Sequence, residues 1–173
     1  MTHLNAAQNA GFRPDPMYIR RADMRDVEAI AHLLVSVQEI HVAARPDVFK
    51  PMVIDNFLLE TVAGQIDDPD AVTFIGEVNG AVIGYVYVVV IERPESVFTW
   101  AQRYAYVNQI SVLPGFRGLG YGELLMRRVI DFANEYDLLR LQLDVWAFNE
   151  GATDFYERLG FRISNHRMEL RLD

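Results

Sequence analysis

Apolar and polar positions change their period several times along the chain, and each change marks an element. MYIRRA at 17–22 reads as a first strand. In DMRDVEAIAHLLVSVQEIH, Val27, Ile30, Ala31, Leu34 and Val37 fall on one helical face, with Asp23 placed to cap it. A Pro-containing loop, ARPDVFKP, leads to a second helical stretch near 53–66, and DDPD at 67–70 is a turn. AVTFIGEV and AVIGYVYVVVIE flank Asn79-Gly80, the composition of a type I′ hairpin. YAYVNQISVLP at 104–114 is a further strand, stopped by Pro114. A helix with Leu125, Val129, Phe132 and Tyr136 on its inner face follows. RLQLDVW at 140–146 alternates as a strand. EGATDFYERL is a short helix, with Ala152, Phe155, Tyr156 and Leu159 inward, ended by Gly160. FRISNHRMEL reads as the last strand.

The predicted order is β-α-α-β-β-β-α-β-α-β. The strand-helix-strand unit over 104–146 requires a parallel pair with a right-handed crossover, and the hairpin requires antiparallel neighbours. The fold class is therefore α/β (mixed α+β), a mixed sheet with helices packed on it. Residues 17–173 make one domain. Residues 1–16 are polar and small, with no apolar core of a leader, and read as a flexible arm.

Charge narrows the partners. The formal net charge is -8, with no Lys/Arg stripe to reverse it locally, so neither nucleic acid nor an anionic membrane is an expected partner. An acidic surface suits cationic partners such as amines, and it also serves solubility. The longest apolar run, at 81–91, is too short to span a bilayer and suits a buried strand. Cysteine is absent, which excludes disulfides and thiolate metal sites and fits a reducing cytoplasm. His3, His32, His41 and His166 are scattered, so no metal is expected.

The chemistry concentrates in FRGLGYGELL, 116–125. Gly118, Gly120 and Gly122 stand at alternate positions between a strand end and a helix start, behind Arg117. Glycine is a poor helix former, so its placement here needs a reason. The first N–H groups of a helix lack intrahelical acceptors, and the dipole adds partial positive charge there. Glycines clear the approach and Arg117 adds a full positive charge, which makes the stretch suited to a pyrophosphate. A Gly-rich turn with no ligand is the plainer alternative. The spacing is not GxGxxG, and GK[ST] is missing, which argues against dinucleotides and nucleoside triphosphates.

Arg117-Gly118-Leu119-Gly120-Tyr121-Gly122 instead resembles the [RQ]xxGxG pattern of the GNAT superfamily of N-acetyltransferases. ISVLPGFRGLGYGELL looks like that family's fourth strand, loop and third helix. NEGATDFYERLGF is similar to its downstream motif, in which an asparagine precedes a tyrosine by seven residues and GF follows. The element order agrees over 17–170.

The resemblance implies an acyl-coenzyme A cosubstrate, usually acetyl-CoA. It implies a pyrophosphate on backbone N–H groups from Gly118 to Glu123. The pantetheine arm would lie along Ile110-Ser111-Val112 like an added strand, where the family's fourth and fifth strands splay apart. A backbone N–H near Val112 would hold the developing oxyanion. Asn149 would orient the pantetheine arm or the following helix, and Tyr156 would protonate the departing thiolate. A neutral amine attacks the thioester directly, so no protein nucleophile is needed. The acceptor is a small-molecule amine or a protein N-terminus. A homodimer is common in the family.

Each candidate has a duller reading. Tyr156 can be core with a wet tip, and Asn149 can simply cap its helix. Asp144 matches a position where some family members carry a catalytic or structural acid. Glu39 and His41 end the first long helix, where acceptor-site residues tend to stand, and solvation of a helix end explains both equally. Asn108 and Gln109 stand where some members place a glutamate base, and neither amide can serve as one, so the base is unassigned. Trp100, Tyr104 and Tyr106 belong to core or interface before they belong to an acceptor pocket. The reading is an N-acetyltransferase; the alternative is an acyl-CoA-binding sensor or interaction module with little turnover.

Overall fold

Five strands form one sheet in the order β1-β2-β3-β4-β5: β1 Tyr18–Arg21, β2 Ala71–Val78, β3 Ala81–Arg93, β4 Gln102–Val112 and β5 Leu141–Leu143. All neighbours are antiparallel except β4 and β5, which run parallel. The helices are α1 Val27–Ala44, α2 Asn56–Asp67, α3 Tyr121–Glu135 and α4 Glu150–Arg158. This computed structural model describes residues 14–172, so 1–13 of the expected arm lie outside the described residues. The chain divides into two units, one running to Leu143 and one from Asp144.

In the first unit each sheet face has its own helices. Ile75, Tyr85 and Tyr87 meet Ile30, Ala31, Leu33 and Leu34 of α1 and Leu58 and Val62 of α2. The alternate residues face α3: Phe74 stacks edge-on with Phe132 at 6.0 Å, and a Cβ on Gly84 would lie 3.1 Å from Leu125. Leu125, Met126 and Val129 are fully buried. Removing each from water is worth about 1.5–3 kcal/mol. Gly84 is fixed by this crowding, since its Cβ would also lie 3.0 Å from the Ser111 carbonyl.

Local chemistry sets the element ends. Asn79 and Gly80 have φ of 52° and 79°, the paired left-handed geometry that a type I′ turn requires. Asp23 caps not α1 itself but a short 3-10 turn, Met24–Asp26, that leads into it. Its carboxylate accepts from Arg25 N at 2.9 Å, and Asp26 accepts from Asp23 N at 2.8 Å. The buried Asp26 also accepts from Arg20 at 2.7 and 2.8 Å, while Arg20 reaches Glu77 at 2.7 Å, which ties this turn to β1 and β2. Asp55 caps α2 through Leu58 N at 2.9 Å. By length and composition α1 with its leading turn is apolar enough to cross a membrane; here its apolar face is the core against the sheet.

Two expectations need correction. Of 140–146 only Leu141–Leu143 is strand, and no strand forms at FRISNHRMEL in the described residues. Met168, Leu170 and Leu172 are 93%, 84% and 88% exposed. Alternation belongs to one segment, whereas a strand belongs to a pair, and no ladder forms over 161–172 among the described residues. A smaller correction concerns Tyr136, which lies past the end of α3 and is exposed, its hydroxyl 3.3 Å from Arg21 Nη2.

In the second unit, Trp146 and Phe148 stack at 6.0 Å ahead of α4. Tyr156 packs between Phe155 and Phe161, with ring centroids 5.1 and 5.6 Å away.

Candidate active site

The site begins where β4 loses one neighbour. The β3–β4 register places Tyr87 opposite Gln109 but Val88 opposite Val107, so Asn108 is an extra residue, a β-bulge. β5 pairs with Ala105, Tyr106 and Val107 and stops, level with the bulge. Beyond it, Leu113 N donates to Ile83 O at 2.8 Å, so Leu113 faces β3. Successive residues of a strand direct their backbone groups to opposite sides. Ile110 and Val112 therefore aim their N–H and C=O groups away from β3, along the edge that β5 has vacated. Ser111, between them, is buried and donates its hydroxyl to Leu33 O at 3.1 Å, fastening this edge to α1.

A tight turn joins that edge to α3. Phe116 N donates to Leu113 O at 2.8 Å across a 3-10 turn, Pro114–Phe116. Gly118 and Gly120 follow with φ of +76° and +88°. A side chain at either position costs roughly 1–2 kcal/mol of left-handed strain, although open space surrounds both. The intervening apolar residues anchor the turn. Tyr121 is buried beside Val78 and Ile83, with Phe116 and Leu119 packed on the same cluster. The Tyr121 hydroxyl donates to Asp15 O at 2.9 Å, and Asn79 donates to the Asp15 carboxylate at 2.9 Å. Residues 14–16, expected within the arm, thus include a residue held against the site's frame.

Gly120 precedes α3 as its cap residue, and no side chain caps the helix. The N–H groups of Tyr121, Gly122 and Glu123 have no acceptor within the helix. Glu123, whose carboxylate would oppose an anion there, is paired with Arg127 at 2.6 Å. An anion meets aligned N–H groups and the positive end of the dipole. The vacated edge and the uncapped helix are consecutive in one unit, so one extended ligand with an anionic end can use both.

The Arg117 side chain folds back toward the end of β4. Its Nε donates to Val112 O at 2.8 Å, and its Nη2 stands 3.4 Å from Ser36 Oγ. Neither contact was visible in the sequence, because both partners join Arg117 only through the turn.

The remaining candidates are placed as follows. In the second unit Asn149 caps α4, its Oδ1 accepting from Ala152 N at 3.2 Å, which leaves the amide Nδ2 as the group that donates elsewhere. The Tyr156 phenol is pushed up to about 12 by burial. Asp144 is exposed, one residue beyond the end of β5. In the first unit Glu39 is exposed near the end of α1. His41 is half-buried, its Nδ1 3.0 Å from Val37 O and its ring 4.9 Å from Phe49. Tyr104 is buried core, whereas Trp100 is 80% exposed on the β3–β4 loop. Gln109 accepts from the buried Tyr85 hydroxyl at 3.0 Å. Among the described residues no group of three His, Asp or Glu could hold a metal.

Comparison with known proteins bears on the family and the fold. A sequence model of the Acetyltransferase (GNAT) family matches residues 34–161. Streptothricin acetyltransferase of Streptomyces lavendulae is 36% identical over 96 residues, 55% of this chain and 47% of that protein. An uncharacterized N-acetyltransferase of Methanocaldococcus jannaschii is 36% identical over 93 residues, 51% of this chain and 38% of that one. The matched stretch thus spans less than half the length of either relative. A solved Bacillus halodurans protein superposes with a TM-score of 0.84 at 25% identity, covering 90% of this chain and 99% of that one. An aminoglycoside N-acetyltransferase solved with CoA shares the fold, with a TM-score of 0.73 at 18% identity over 92% of this chain and 97% of that one.

Proposed function

Since the chain belongs to the acetyltransferase (GNAT) family, we propose that it is an N-acetyltransferase that carries acetyl from acetyl-CoA to a primary amine. The observation that carries this reading is the sequence of two free surfaces. The edge offers the backbone groups of Ile110 and the N–H of Val112, whose carbonyl Arg117 holds, to an amide-bearing pantetheine, and the uncapped start of α3 offers N–H groups to a pyrophosphate. Few other metabolites join a flexible diamide arm to a pyrophosphate. The CoA found in the aminoglycoside enzyme of the same fold supports it.

The division of labour follows from the chemistry. Ile110, Ser111 and Val112 provide the strand, and the backbone from Gly118 to Glu123 provides the anion seat. The Val112 N–H is the donor for the oxyanion that forms when the amine adds to the thioester. Collapse of that intermediate expels a thiolate. Tyr156 supplies its proton, since a phenol held at about 12 stays protonated at neutral pH. Asn149 orients the start of α4 and, through Nδ2, the arm of the ligand. Asp144 is the candidate base, and Glu39 and His41 near the end of α1 are the candidate acceptor-binding residues; a net charge of -8 favours cationic acceptors. The streptothricin relative is named for a small-molecule acceptor, as is the thialysine N-epsilon-acetyltransferase of Sus scrofa, 34% identical over 64 residues.

Direct attack makes a kinetic prediction. Varying acetyl-CoA at several amine concentrations gives intersecting double-reciprocal lines, and acetyl-CoA alone leaves the intact mass of the protein unchanged. Parallel lines together with an acetylated protein would establish an acyl-enzyme and refute direct attack.

A further inference from the structure

The Gly-rich turn carries one full charge, and the guanidinium holding it is spent on a carbonyl. Arg117 Nε donates to Val112 O at 2.8 Å, and Nη2 leans on Ser36 Oγ of α1 at 3.4 Å. The Arg117 backbone is extended, φ -70° and ψ 151°, and its own N–H closes the 3-10 turn on Pro114 O at 3.3 Å. The side chain thus folds back over the end of β4. We propose that Arg117 is a positioning residue that acts by capping the Val112 carbonyl, and that its charge is not what seats the pyrophosphate. This rests on the acetyltransferase reading above and adds to it a role for one residue.

The reason lies in the vacated edge. Val112 directs both N–H and C=O to the side that β5 has left. The N–H is the useful group there, because negative charge develops on the thioester oxygen. A bare carbonyl beside it would oppose that charge and would be an unpaired acceptor in a ligand-covered site. The Nε hydrogen bond removes both problems. It also joins three parts of the frame, the end of β4, the glycine turn and α1, at the point where the N–H must be held still. Ser111, one residue earlier, makes a parallel link to Leu33 O of the same helix.

Side-chain geometry separates hydrogen bonding from charge. Glutamine places Nε2 the same number of bonds from Cα as arginine places Nε, so Arg117→Gln keeps the donor and loses the charge. Arg117→Lys keeps the charge but moves its only donor one bond farther out. Arg117→Met keeps neither. Each full-length variant is measured for acetyl-CoA affinity by calorimetry at low and high salt, for turnover with a saturating amine, and for melting temperature. The expected result is turnover in the order Gln above Lys and Met. Gln retains about a third or more of wild-type turnover, and Met falls to about a tenth or less, the size of one lost hydrogen bond to a charged donor. The dependence of affinity on salt is the same in Gln as in wild type. The opposite pattern overturns the proposal: Lys near wild type, Gln and Met equally weakened in acetyl-CoA affinity, and a flattened salt dependence in both. Equal losses in all three with lowered melting temperatures also overturn it, since they would make Arg117 a fold residue only. A wild type that neither binds acetyl-CoA nor turns over would instead refute the acetyltransferase reading, and this proposal with it.

Discussion

Gly120→Asp weakens acetyl-CoA binding by about a hundredfold beyond the loss caused by Gly120→Asn. The pair is chosen so that everything but charge cancels. Gly120 has φ +88°, and a Cβ there meets open space. Asparagine and aspartate are the side chains that best tolerate a left-handed backbone, so both variants carry similar strain, about 1 kcal/mol. They have nearly the same volume and obstruct the approach alike. Only aspartate sets a negative charge at the start of α3, a few ångströms from where the pyrophosphate would lie. At an effective dielectric near 20, two unit charges about 6 Å apart repel by roughly 3 kcal/mol, which is about a hundredfold. High salt shrinks the difference between the two variants. Calorimetric titration with acetyl-CoA, alongside thermal melting to show equal folding, reads the result. Equal affinities in the two variants at low salt would mean that no anion is seated on these N–H groups.

Tyr156→Phe lowers turnover by roughly tenfold to ten-thousandfold while hardly changing the acetyl-CoA dissociation constant. The ring keeps its contacts with Phe155 and Phe161, so packing and α4 survive the change. Only the proton donor is lost. A thiolate is a fair leaving group even unprotonated, so the smaller end of the range is reasonable. The proton matters most in keeping the thiolate from returning to the carbonyl. Burial pushes the phenol up to about 12. A donor must be protonated, so raising its pKa extends activity to higher pH. An ordinary phenol would be half lost at pH 10; this one keeps its proton until pH approaches 12, and wild-type turnover should show no loss near 10 on its account. Two results would remove Tyr156 from the chemistry: wild-type turnover by the phenylalanine variant when chemistry limits the rate, or a loss that tracks weakened cosubstrate binding.

What could be read from the sequence was what is decided locally. Asn79-Gly80 announces its hairpin because two adjacent residues alone must take positive φ. The glycines at 118 and 120 announce the turn for the same reason. The helical faces of α1 and α3 were legible because burial repeats at the helical period. The strand read at FRISNHRMEL does not form in the described residues, because alternation is a property of one segment and pairing is a relation between two. Asn108 was seen only as an amide unfit to be a base. Its actual part is the bulge that, with the short β5, frees Ile110 and Val112, and a bulge is a relation between two strands. Arg117 was read as charge beside glycines because they are neighbours in the chain. Its hydrogen bond reaches back to residue 112 and across to α1, which only the folded turn determines.

The central claim, transfer of acetyl from acetyl-CoA to an amine, is tested most directly by measuring release of free CoA thiol from acetyl-CoA across a chemically diverse panel of amines, with mass spectrometry of the products. The panel should include small polycationic amines, amino acids with side-chain amines, and peptides with free N-termini. The account predicts thiol release that depends on one class of amine, saturates with it, and matches acetylated amine mole for mole. Tight binding of acetyl-CoA with no amine-dependent thiol release across the panel would contradict it and leave an acyl-CoA-binding module in its place.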